Sequence, residues 1–108
     1  MTLDEYQQAA LRTAIFPQET AIVYPTLGLT GEAGEVADKV KKTIRDFGGD
    51  FSADRRREIA LELGDVLWYA ATLARDLGFT LDEVARMNVE KLASRVARGK
   101  LHGEGDNR

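Results

Sequence analysis

The chain has 108 residues, 44 % apolar and 31 % charged, with a net charge of −3 and no cysteine. That length is one domain, and the lack of cysteine excludes disulfides, thiol catalysis and a cysteine-based zinc site. The acidic balance lacks the positive footprint of a nucleic-acid binder, and no apolar stretch approaches the ~20 residues of a membrane span. The polar, acidic start, MTLDEYQQ, reads as neither a signal nor a transit peptide, so the expected location is the cytoplasm, with no membrane partner.

In chain order, Thr2 and Glu5 form a T-x-x-E capping box, and the amphipathic stretch behind them predicts a helix to about Ile15, ended by Pro17. Residues 16–25, FPQETAIVYP, read as an irregular link between two prolines. A second helix is predicted from about Thr26 to Asp46 and is broken by Phe47, Gly48, Gly49 and Asp50. A third runs from about Ala53 to Leu77 and stops at Gly78. Thr80 and Glu83 make a second capping box for a fourth helix, which reaches about Ala97. The tail, GKLHGEGDNR, reads as a loop over 99–108. No β alternation persists, so the expected fold is all-α: one domain over 1–108, a bundle of about four helices with its core over about 25–98.

The third helix carries an apolar seam at Ile59, Leu63, Val66, Ala70, Leu73 and Leu77, spaced to keep one stripe towards a partner helix. The second repeats it with Leu29, Ala33, Val36, Val40 and Phe47, Thr43 and Ile44 sharing one step. One position back from each seam lies a polar stripe. On the third helix it holds Glu58, Glu62, Asp65, Tyr69, Thr72 and Asp76; on the second, Gly28, Glu32, Glu35, Lys39, Lys42 and Asp46. If the seams pack together, both stripes border one groove, and Glu32, Glu35, Glu62 and Asp65 converge there.

Four carboxylates at close range repel and raise each other's pKa, and a divalent cation removes that cost. All-oxygen donors suit Mg²⁺, or Mn²⁺, rather than zinc or copper. A di-iron bundle would use Glu-x-x-His, and the sole histidine, His102, lies in the tail. Gly34 and Gly64 each cost a helix about 1 kcal/mol relative to Ala, which points to close approach of a helix or ligand. The plain alternative is that acids three apart are an ordinary solvated face.

GEAGEVADKVKK followed by EIALELGDVLWY resembles the MazG-type nucleotide pyrophosphohydrolases, whose pattern is E-x-x-E, a spacer, then E-x-x-D. Here the pairs are Glu32–Glu35 and Glu62–Asp65, and the spacer contains the turn FGGDFS. The likeness covers roughly 25–108, since NVEKLASRVARGKLHGEGDNR is similar to the C-terminal segment of small stand-alone members. It implies an all-α fold assembled as dimers or tetramers. It also implies Mg²⁺ held by Glu32, Glu35, Glu62 and Asp65, and hydrolysis of an NTP or dNTP to the monophosphate and pyrophosphate. Glu35 is the choice among those carboxylates for the base that deprotonates the water. Many members have a further Glu just before the first; here that position is Gly31, and Glu58 is a substitute only if it is not simply solvated.

A triphosphate also needs cations outside the metal shell. Lys39 and Lys42 continue the acid stripe, with Lys39 the stronger candidate; Lys39 is also spaced as an i,i+4 partner of Glu35. Asn88, Lys91 and Arg95 share one face of the fourth helix, and the resemblance favours Asn88 and Lys91 as substrate contacts. Lys100 and Arg108 place cations in the tail, which either folds over phosphates or stays a loose terminus. Tyr69, and less so Trp68, could stack on a base, although aromatics at helical spacing also fill cores. The readings in competition are a general NTP pyrophosphohydrolase, a specialised one acting on dUTP, dCTP or phosphoribosyl-ATP, and a non-catalytic helical oligomerisation or binding module. The small chain and its long stripes point to a homo-oligomer.

Overall fold

The computed structural model describes residues 1–107. They form α1 (Leu3–Leu11), α2 (Val23–Asp46), α3 (Ala53–Asp76) and α4 (Leu81–Ala97), with a short 3-10 turn at Gln18–Thr20 and no strand among the described residues. Both capping boxes are formed: Thr2 accepts from the Glu5 amide while Glu5 reaches back, and Thr80 and Glu83 do the same for α4. Ser52 caps α3 through the Arg55 amide.

Two boundaries differ from those expected. α1 stops at Leu11, not Ile15, because the next amides bond three residues back and the Thr13 hydroxyl donates to the Ala10 carbonyl at 2.9 Å. α2 begins at Val23, ahead of Pro25, since a proline in the first turn surrenders no helical hydrogen bond. The residue before it, Ile22, has φ 69, which a β-branched residue rarely adopts. The buried carboxylate of Asp76 holds that turn, accepting from the Ile22 amide at 2.9 Å while paired with Arg75 at 2.7 Å.

α2 and α3 form the main pair, antiparallel, and the contacts give the register. Ile22 meets Asp76, Gly28 meets Tyr69, Lys39 meets Glu58 and Thr43 meets Arg55. Arg55 locks the loop end by donating to Thr43 Oγ1 at 3.0 Å, the Lys39 carbonyl at 3.1 Å and Glu58 at 2.7 Å. Across the other face of α3, α1 is tied down by Gln7, 3 % exposed. Its amide donates to the carbonyls of Ala71 and Phe79 and accepts from the Leu81 amide, so one side chain joins α1, α3 and the start of α4.

This register corrects the seam. Part of the polar stripe shares the packed face, with Glu62 and Tyr69 half-buried and Thr72 fully buried, while Glu35, Lys42, Asp46 and Asp65 stay exposed. Leu29, Val36 and Val40 of α2 and Ile59, Val66 and Leu73 of α3 are half-buried. Leu63, Leu77, Ala33, Ile44 and Phe47 are exposed. The buried apolar core among the described residues is small: Ala10, Ala71, Ala74 and Leu81, flanked by Tyr6 and Trp68. The close approach expected at Gly34 and Gly64 is not made within the chain, since a Cβ at either would meet nothing within 4 Å.

Candidate metal centre

The helix pair brings acids together because Glu62 and Asp65 lie one turn apart on α3 and Glu32 stands opposite on α2. One carboxylate oxygen from each of the three lies within 4.8 Å of the others. Glu32 and Glu62 are half-buried and Asp65 is exposed. Burial, then the charges of Asp65, Glu62 and Glu35, hold the Glu32 carboxyl above the usual carboxylate range. Glu35 is exposed and outside the three-carboxylate group, near enough for its charge to reach Glu32 but not to join the set.

Lys39 closes the loop-side end of this group, its ammonium 4.0 Å from Glu62 and 3.9 Å from Glu58. Glu58, its side chain 45 % exposed, is shared by Arg55 and Lys39. Lys42 pairs with Asp38 at 2.7 Å on the outer side of α2.

At the other end Glu32, Asp65, Trp68 and Tyr69 line one open cavity of about 300 Å³. Trp68 and Tyr69 stand at right angles, ring centres 4.9 Å apart. Tyr24 tilts against Tyr69 and stacks on Phe16. Burial and the neighbouring Tyr24 push the Tyr69 phenol upward, and burial and the Asp65 charge do the same to Tyr6 of α1.

Gly28 is what lets the ring in. A Cβ there would fall inside the Tyr69 ring carbons, so Gly28→Ala should displace Tyr69 and forfeit the roughly 1 kcal/mol that Gly-to-Ala normally gains in a helix. Gly34→Ala, with open space, should keep that gain. Urea titration of both variants checks the contrast: Gly28→Ala should fall below Gly34→Ala in midpoint.

Asn88 and Lys91 line a different cavity, of about 290 Å³, with Val84 and Met87 on α4. Lys91 pairs with Asp106 of the tail at 3.1 Å. Arg95, 4 % exposed, donates to the Gly105 and Asp106 carbonyls at 3.3 and 3.0 Å and to the Asp106 carboxylate at 3.2 Å. Both cations anchor the tail along α4. Lys100 is exposed on that segment, and Arg108 lies outside the described residues. The structure thus gathers Glu32, Glu62, Asp65, Lys39 and Tyr69, and leaves Asn88, Lys91, Arg95 and Lys100 off the acidic cavity. Nothing in the sequence marks Gly28 as the glycine that contacts Tyr69. Asp76 lies in the polar stripe of the third helix, but nothing there signals its tie to Ile22, and Arg55 carries no signal at all.

Residues 24–98 match the MazG nucleotide pyrophosphohydrolase domain. The chain belongs to the MazG family. A relative described as Gene 37 protein, from Mycobacterium phage L5, is 46 % identical over the full length of both chains. No solved structure matches. Within the MazG match fall all of α2 but Val23, the whole of α3 and α4, and every acid of the cluster, whereas α1 and the link behind it precede the match.

Proposed function

We propose that the protein is a divalent-cation-dependent nucleotide pyrophosphohydrolase, cleaving an NTP or dNTP to the monophosphate and pyrophosphate. The convergence of Glu32, Glu62 and Asp65 from two helices of a MazG domain carries this reading. The donor chemistry fits a hard cation: three carboxylates, one of them above its usual pKa through burial and then through its acidic neighbours, and no histidine or cysteine among them. Mg²⁺ or Mn²⁺ held there would offset triphosphate charge and lower the pKa of a water.

The chain's own residues do the rest. Glu32, Glu62 and Asp65 are the ligands, and Glu35, exposed beside Glu32, is a fourth ligand or the base that takes the proton from water. Water attacks the α-phosphorus, the bond to the α–β bridging oxygen breaks, and pyrophosphate leaves. Lys39 swings from Glu58 and Glu62 to a phosphate, and Tyr69 meets the organic end. Lys91 and Arg95 would reach phosphates across a subunit boundary or once Asp106 lets go, and Asn88 and Lys100 across a subunit boundary; Arg108, outside the described residues, stays a candidate phosphate contact. No helix is long and apolar enough to cross a membrane among the described residues, in keeping with action in the cytoplasm.

Pyrophosphate release from a panel of NTPs and dNTPs, with Mg²⁺ and with EDTA, tests this. Release with Mg²⁺ that EDTA stops is the expected result. An inert panel under both conditions would favour the non-catalytic module.

A further inference from the structure

Trp68, the chain's sole tryptophan, lines the cavity beside the acids, yet its orientation is set from outside the matched domain. Its indole Nε1–H donates to the Ala10 carbonyl at 3.2 Å and to Thr13 Oγ1 at 2.9 Å. The Thr13 hydroxyl spends its own proton on the Ala10 carbonyl, which leaves its oxygen as acceptor for the indole. This relay sits where α1 stops early. Phe16, three residues on, stacks on Tyr24 with ring centres 4.7 Å apart, and Tyr24 leans on Tyr69. Both aromatic walls of the cavity are therefore backed by residues 10–16, ahead of the MazG match at 24–98.

Two rings at right angles offer a face and an edge to a flat aromatic guest, and the acids stand beside them for the charged end of the same ligand. We infer that Trp68 is a wall of the subsite for the planar heteroaromatic ring of a nucleotide, and that Thr13 is the positioning residue that sets this wall through the indole N–H. This rests on the pyrophosphohydrolase reading. The plain competitor is a tryptophan that only fills space against Ala10, Ala71, Ala74 and Leu81.

The sole tryptophan makes emission a direct readout on the intact protein. The probes are α,β-imido analogues of the four common deoxynucleoside triphosphates and inorganic tripolyphosphate, each with Mg²⁺. Nucleotide analogues should quench Trp68, and at least one should bind more tightly than tripolyphosphate. Thr13→Val should weaken that analogue about fivefold, the worth of one hydrogen bond. It should also raise KM for the matching nucleotide by a similar factor, with kcat unchanged and tripolyphosphate affinity unmoved. Thr13→Ser should restore all of it. Equal binding by Thr13→Val and the parent would overturn the inference, as would a parallel loss of tripolyphosphate affinity or a failed serine rescue. If Mg²⁺-dependent pyrophosphate release persists in any of those cases, the activity reading stands alone. Binding of neither probe, with no release, overturns both.

Discussion

Replacing Asp65 with asparagine should reduce pyrophosphate release by on the order of 10³-fold or more while leaving the helical fold intact. The carboxylate is exposed, so the isosteric amide has no packing to disturb, and its loss removes one of three anionic ligands from a cation whose charge does the electrostatic work. Stability should move the other way when no metal is present. Glu32 has its pKa raised by burial first and by Asp65 next. A carboxyl raised in the fold binds protons that the unfolded chain releases, so its contribution is present below the unfolded pKa and is lost as pH rises through the folded one. In EDTA, Asp65→Asn should therefore gain stability relative to the parent as pH climbs out of the acidic range, because Glu32 ionises in the fold at less cost once the Asp65 charge is gone. Mg²⁺ should raise the parent's Tm by mass action and the variant's much less. Thermal melts with EDTA and with Mg²⁺, read beside turnover, check all of this. A variant that turns over like its parent would mean that the acids are a solvated face.

The acids were legible because two periodicities coincide. Glu32, Glu62 and Asp65 recur at helical spacing within a pattern of known family resemblance, and capping boxes at Thr2–Glu5 and Thr80–Glu83 fixed two helix starts. What one sequence leaves open is register. α3 is apolar on more than one flank, so Leu63 and Leu77 read as inward although its own chain covers neither. Gly28, Gly34 and Gly64 look alike in a sequence; only the structure shows that the first accommodates a ring and the others face open space. Lys91 and Arg95 have the spacing of a phosphate-binding face, and their partner, Asp106, comes from a loop without periodicity. Thr13 carries no signal, because its role depends on α1 ending two residues earlier.

Leu63→Glu should convert an oligomer to a monomer and lower its thermal stability sharply. The surface supplies the reason. A folded monomer of 11.9 kDa is expected to expose roughly 6,000 Å², whereas this chain alone exposes 7622 Å². Leu61, Leu63 and Leu67 are 61, 58 and 40 % exposed. An almost wholly apolar groove of about 480 Å³ runs along α3 between Ala60, Leu63, Gly64, Val66, Leu67 and Ala70. Were that face wet in solution, an exposed Leu-to-Glu change would stay within about 0.5 kcal/mol of neutral. Were it covered by a second copy, the same change would bury a carboxylate against apolar surface at a cost of several kcal/mol. Gly64 gives an opposite-signed check, because Gly64→Ala should gain about 1 kcal/mol on a solitary helix and lose stability where a partner helix approaches closely. Light scattering after size exclusion, with melts of both variants, separates the cases. A parent that elutes as a monomer, with Leu63→Glu melting alongside it, would remove the partner copy and with it any reach of Lys91, Lys100 or Arg108 into a neighbour's cavity.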